Sequence, residues 1–251
     1  FDNVVDPAGG SYYIENLTAS IAEEAWKLFL EVENAGGYSA AFHAGTISAR
    51  VKASAEKKNK EVATRRITLL GTNQFPNFTE KSEGKEPVAC CCKGQCGCGE
   101  KPAIDGITVS RLASDFEALR LTTEKAAKVP VAFMLTIGNL AMRQARAQFS
   151  CNFLAAAGYQ VVDNLGFKTV EEGVDAALAA GADIVVICSS DDEYAEYAIP
   201  AFQYLNGRAM FVVAGAPACT EDLQKAGIEN FIHVRVDQLK TLKEYNAKLG
   251  I

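Results

Sequence analysis

Histidine is nearly absent from this chain: 251 residues contain two, His43 and His233, far apart in sequence. That spacing offers no close-range base for a nucleophilic cysteine, and each histidine is expected to be held by local hydrogen bonds. Long apolar runs are missing as well. None reaches the ~20 residues that cross a bilayer, and no charged-then-apolar leader opens the chain. Positive charge is in deficit, with a net charge of −6. Residues 104–251 alone carry 13 basic and 18 acidic side chains, which argues against a nucleic-acid partner. The expectation is a cytoplasmic protein with neither membrane nor nucleic acid among its partners. Phe1 is not a methionine, and the chain opens in mid-pattern with Asp6-Pro7-Ala8-Gly9-Gly10-Ser11, so a piece of a longer polypeptide is expected.

What is present is a globular composition, 49% hydrophobic and 22% charged, with room for one large or two ordinary domains. From Pro130 to Ile251 the chain alternates. Short apolar runs at Val131–Ile137, Tyr159–Asn164, Asp183–Ser189, Ala209–Ala214 and Phe231–Val234 read as strands buried on both faces of a parallel sheet. Helical segments near 140–157, 169–180, 193–206, 219–226 and 237–249 separate them. Gly158, Gly181, Gly207 and Gly227 stand where left-handed caps would end four of these helices. Strict alternation implies right-handed crossovers and a doubly wound α/β sheet. Five units favour the flavodoxin-like order 2-1-3-4-5, with a ligand crevice at the carboxyl edge near the first and third strands.

Three loops should line that edge: Gly138–Arg146, Ser189-Ser190-Asp191-Asp192, and Ala214-Gly215-Ala216-Pro217. Small residues there let a backbone approach a ligand closely, and they serve turns and caps equally well. The first junction, Thr136 to Arg146, contains neither a histidine nor an acid. A phosphoacceptor site needs an acid there, and a dinucleotide fingerprint needs two glycines beyond the solitary Gly138.

The first half is organised differently. Residues 1–80 hold a helix with apolar Leu17, Ile21, Ala25, Leu28, Phe29 and Val32, for which Thr18 is a candidate N-cap and Gly36-Gly37 a stop. A basic segment, Arg50 to Arg66, should also be helical, with a solvated face. These elements cannot enclose a core of their own and need a covering from elsewhere. Residues 81–103 read as a linker, and 104–128 as a helical lead-in around Leu112, Phe116 and Leu119 that docks on the domain 129–251.

With these residues in view, the chain resembles the small, non-catalytic subunit of cobalamin-dependent methylmalonyl-CoA mutases over nearly its whole length. Asp6 to Glu15, with Ala25-Trp26 and Val32-Glu33, is similar to the segment that closes the family's (β/α)8 substrate barrel. Ala63-Thr64-Arg65-Arg66 and Gly71-Thr72-Asn73-Gln74-Phe75-Pro76-Asn77 resemble its post-barrel linker. Arg111-Leu112-Ala113 and Phe116 to Arg120 resemble the lead-in to its cobalamin-type domain. The resemblance implies a helical barrel remnant over 1–80 and a cobalamin-binding-like domain over 129–251. In the catalytic subunit an Asp-x-His-x-x-Gly motif supplies the cobalt ligand; counted back from Gly158, its positions fall on Ala141, Arg143 and Arg146. A guanidinium has no lone pair for a metal. Ser189-Ser190 matches the family's serine pair, while Gly215-Ala216 stands where Gly-Gly is usual. Gly138, Ala141, Arg143, Arg146, Ser189, Ser190, Gly215 and Ala216 would thus outline a vestigial pocket. The implied arrangement is a heterodimer. Adenosylcobalamin and the interconversion of methylmalonyl-CoA and succinyl-CoA would belong to a large catalytic subunit, and this chain would stabilise it with no cofactor and no catalytic residue of its own. A cobalamin module that keeps the cofactor without a histidine remains an alternative reading.

Eight cysteines complete the inventory, five of them in the run Cys90-Cys91-Cys92-Lys93-Gly94-Gln95-Cys96-Gly97-Cys98. That is not a disulfide framework. Cys188, in an apolar strand, reads as a small core hydrophobe. The thiolates of Cys90, Cys91, Cys92, Cys96 and Cys98 could hold zinc or an iron–sulfur cluster, carry redox chemistry, or belong to a linker of no defined role. Metal analysis of protein purified without an affinity tag separates these readings. Stoichiometric zinc or iron establishes a metal site, and trace metal removes it.

Overall fold

A computed structural model describes residues 3–81, 107 and 110–251. The expected linker lies outside the described residues apart from Lys81, and the whole Cys90–Cys98 run lies outside them. The chain divides into two compact units; residues 3–56 belong to the first, and residues 57–81 and 110–251 to the second.

The first unit is helical. Helix α1 (Tyr12–Asn34) begins about two turns earlier than Thr18 would place it, with Ser11 as the extended N-cap residue. Asp6 sets up this start: its carboxylate accepts from the Ala8 N–H at 3.1 Å, and its carbonyl accepts from the Gly9 N–H. Gly36, left-handed at φ 95°, ends the helix as expected, and a short α2 (Gly37–His43) follows at once. Helix α3 (Thr46–Ala63) comes next, and its residues up to Glu56 complete this unit. No residue of α1 is buried, and Ile21 and Trp26 are 61% and 60% exposed. An apolar stripe this bare is what a helix shows when its covering layer is elsewhere.

In the second unit α3 stops at Ala63 rather than continuing to Arg66. Arg65 turns left-handed at φ 60°, and the Arg66 N–H returns to the Glu61 carbonyl, which closes the helix end without a glycine. The chain then folds around Asn73, which is 1% exposed. Its side chain accepts from the Leu69 N–H at 2.8 Å and donates to the Val62 and Ile67 carbonyls, both at 2.9 Å. One amide group therefore pairs the Leu69 N–H and the Ile67 carbonyl of an irregular segment and ties them to the last turn of α3, where the Val62 carbonyl also accepts from the Arg65 N–H. Helix α4 (Ser114–Glu124) buries Phe116 and Leu119, whereas Leu112 precedes the helix and is exposed.

The remainder is the alternating domain: β1 (Val131–Thr136), α5 (Leu140–Ala155), β2 (Gln160–Val162), α6 (Val170–Ala179), β3 (Ile184–Cys188), α7 (Tyr194–Leu205), β4 (Met210–Ala214), α8 (Thr220–Lys225), β5 (Asn230–Ile232) and α9 (Gln238–Leu249). All strand pairs are parallel and the order is β2-β1-β3-β4-β5, the flavodoxin-like arrangement the alternation predicts. The two-residue period of the strands sorts the core into two layers. Ala132, Met134, Ile184, Val186, Cys188 and Val212 face Phe153 and Leu154 of α5, Leu242 and Tyr245 of α9, and Phe116 of α4. Phe133, Leu135, Val185, Ile187 and Val213 face α6, α7 and α8 through Val174, Ala198 and Leu223.

A buried polar chain ties the lead-in to this core. Tyr159 donates to the Asn246 side-chain oxygen at 2.6 Å, and Asn246 donates to Thr123 at 3.0 Å. Replacing Asn246 by Ala leaves two buried hydroxyls without these partners, and a loss of about 1–3 kcal/mol in urea denaturation is expected.

Candidate functional site

The crossover pattern creates a crevice. Helix α5 leaves β1 toward one face of the sheet and α7 leaves β3 toward the other, so their connecting loops diverge at the carboxyl edge. The structure brings Gly138, Arg143, Arg146, Ser189, Ser190 and Gly215 together around this crevice. Ala141, in the first turn of α5, and Ala216, on the loop after β4, border the same edge and are exposed.

The carboxylate of Glu193 lies between the first two loops. It accepts from the Asn139 N–H at 3.0 Å, the Ser189 hydroxyl at 2.7 Å, the Ser190 hydroxyl at 2.8 Å and the Ser190 N–H at 3.3 Å. These donors pull its acidity to about pH 2, with the Asn139 amide the largest cause and the Ser189 hydroxyl next. Gly138 permits the approach. Its φ is 77°, and a Cβ there would stand 2.3 Å from the Glu193 carboxylate oxygen.

Two arginines brace the same edge from α5. Arg143 donates to the Gly138 carbonyl at 3.2 Å and to the Leu165 carbonyl at 2.8 Å, and so ties the β1–α5 loop to the loop after β2. Gly166, at φ 120°, lets the guanidinium lie against the backbone, because a Cβ there would be 2.5 Å from its central carbon. Arg146 pairs with Asp191 at 2.9 Å, and Gly215 lies close to both side chains. Tyr194, fully buried, donates to the Ala214 carbonyl at 2.6 Å and accepts from the Ser189 N–H at 3.2 Å, which joins the ends of β3 and β4. Burial pushes its phenol well above the usual range.

The remaining candidates are structural in their surroundings. Cys188 is buried in β3, and burial raises its thiol strongly, so it stays protonated and inert. His233 accepts from the Arg235 N–H through Nδ1 at 3.2 Å. Partial burial, then Arg235, Arg65 and Arg146, lower its pKa and keep the ring neutral. Among the described residues no three cysteine, histidine or acidic side chains form a metal-binding group. No helix among them is long and apolar enough to cross a membrane. On the outer side of α5 a groove of about 450 Å³ is lined by Arg65, Gln74, Phe75, Gln148, Phe149 and Asn152, among others, and the Arg65 guanidinium sits 4.7 Å above the Phe149 ring.

The comparisons with known proteins agree on one family. The family model described as methylmalonyl-CoA mutase matches residues 1–91. The methylmalonyl-CoA mutase small subunit of Porphyromonas gingivalis is 62% identical over all of this chain and 40% of its own length. That of Streptomyces virginiae is 34% identical over 99% of this chain and 38% of its own length, and that of Propionibacterium freudenreichii 28% identical over a similar span. The chain is a homologue of methylmalonyl-CoA mutase small subunits. It spans about 40% of the length of the relatives it matches.

Of the residues that meet in the crevice, Glu193, which joins the first two loops, is one that sequence reasoning passes over, as are Tyr194, Leu165 and Gly166. The signal available was an acid directly after Ser189-Ser190-Asp191-Asp192, at the start of a helix. A linear reading treats such an acid as a favourable helix-start charge. The held carboxylate has an acid signature. Its folded pKa, about 2, is below the ordinary 4.5, so its stabilisation is full above about pH 4.5 and is lost as pH falls toward 2. In urea denaturation, the stability advantage of the wild type over Glu193→Gln should therefore be constant at pH 6–7 and shrink steadily below pH 4.5.

Proposed function

We propose that the chain is the C-terminal portion of the small, non-catalytic subunit of a heterodimeric methylmalonyl-CoA mutase, with a stabilising role toward a large catalytic subunit. Adenosylcobalamin and the interconversion of methylmalonyl-CoA and succinyl-CoA belong, in this reading, to the large subunit in the cytoplasm. Residues 1–80 are the end of the family's barrel, 81–103 a linker, 104–128 the lead-in, and 129–251 a cobalamin-type domain that has kept its fold and lost its ligand.

One observation carries the reading. Arg143 stands at the position that the resemblance assigns to the cobalt-ligating histidine, and its guanidinium is engaged by the Gly138 and Leu165 carbonyls. It has no lone pair to offer a metal. Ala141, at the position of the acid that would orient such a histidine, has no hydrogen-bonding side chain. The serine pair of the nucleotide side is occupied by Glu193. The residues present therefore do not fit cobalamin, and no step of the isomerisation is assigned to this chain. The bare apolar stripe of α1 supports an origin in a larger barrel whose other elements would cover it.

A visible-spectrum titration with adenosylcobalamin and hydroxocobalamin tests the reading. No spectral shift and no cofactor retained on gel filtration are expected, together with co-elution of the full-length small subunit with a large subunit. Stoichiometric retention of cobalamin by this chain would instead establish histidine-free cofactor binding.

A further inference from the structure

We propose that Glu193 is a latch that holds the crevice between β1 and β3 closed from within. The edge where this topology receives a ligand carries four hydrogen-bond donors on two separate loops: the Asn139 N–H from the β1–α5 loop, and the Ser189 hydroxyl, Ser190 hydroxyl and Ser190 N–H from the β3–α7 loop. All four converge on one carboxylate supplied by the chain itself. Bridging two loops that diverge toward opposite faces of the sheet, the carboxylate does what a bound anion would do there. The unsubstituted Cα of Gly138 is the complementary half of the device, since any side chain at 138 would collide with the latch.

The latch is distinct from the neighbouring braces. Arg143 links the β1–α5 loop to the loop after β2, and Arg146 pairs with Asp191. The Glu193 carboxylate joins the β1–α5 and β3–α7 loops directly, through the donors of both. It is also held by neutral donors alone, so its grip depends on the presence of an anion and not on a partner cation. This inference goes beyond the subunit assignment and does not depend on it: a chain that bound cobalamin in another way could fail the first reading and keep the latch.

Amide hydrogen exchange on the intact chain tests it. Glu193→Ala and Glu193→Gln should each raise exchange over residues 137–143 and 189–191 by about tenfold or more, with the strands unchanged. Sodium formate at about 100 mM, compared with sodium chloride at equal ionic strength, should restore protection in Glu193→Ala by occupying the vacated position. It should not do so in a Ser189→Ala/Ser190→Ala variant, which lacks the receptor. If Glu193→Ala does not fold, the isosteric Glu193→Gln and the double serine variant carry the first comparison. Unchanged loop exchange in Glu193→Gln and in the double serine variant would overturn the latch. Formate that protects Glu193→Ala no better than chloride would overturn the view that the position is an anion's.

Discussion

Burial of a parallel sheet on both faces is the constraint from which the rest of the second unit follows. Strands with no solvated face must satisfy their backbone groups sideways and their side chains above and below. The first requirement gives the ladder β2-β1-β3-β4-β5; the second gives two apolar layers, one under α5 and α9, the other under α6, α7 and α8. Because β1 sends its helix to one layer and β3 to the other, the carboxyl edge must part between them. The crevice is a consequence of the topology and needs no functional cause.

What differs among proteins built this way is what fills the parting. Here polar side chains of the chain itself meet across it. Arg143 leans on Gly166, Glu193 on Gly138, and Arg146 and Asp191 on Gly215, so that three glycines make room for three charged contacts. Each glycine that could have let a ligand approach lets a side chain approach instead. Small residues at a ligand edge are thus ambiguous until their neighbours are known.

Legibility in the sequence followed the range of the forces involved. The five strands and the helices between them came from short apolar runs and cap glycines, which are local signals, and their boundaries moved by only one or two residues. Errors arose where local signals competed. Thr18 resembles an N-cap, yet Ser11 and the Asp6 turn start the helix earlier. Leu112 looks like part of an apolar helix face, yet the helix begins at Ser114 and leaves it exposed. Asn73 gave no local sign that it would pair the Leu69 N–H and the carbonyls of Ile67 and Val62.

The sequence by itself determined the doubly wound class, the strand order, the three loops at the ligand edge and the absence of an imidazole or acid from the first of them. These depend on periodicity and residue identity, which a linear reading contains. Only the tertiary structure decided that Glu193, fifty-four residues from Asn139, closes on its amide, and that Arg143 reaches the loop after β2. Such contacts depend on how two crossovers bring remote loops to one edge. No local pattern encodes that meeting, because the hydrogen bonds that fix it exist only once the sheet has formed.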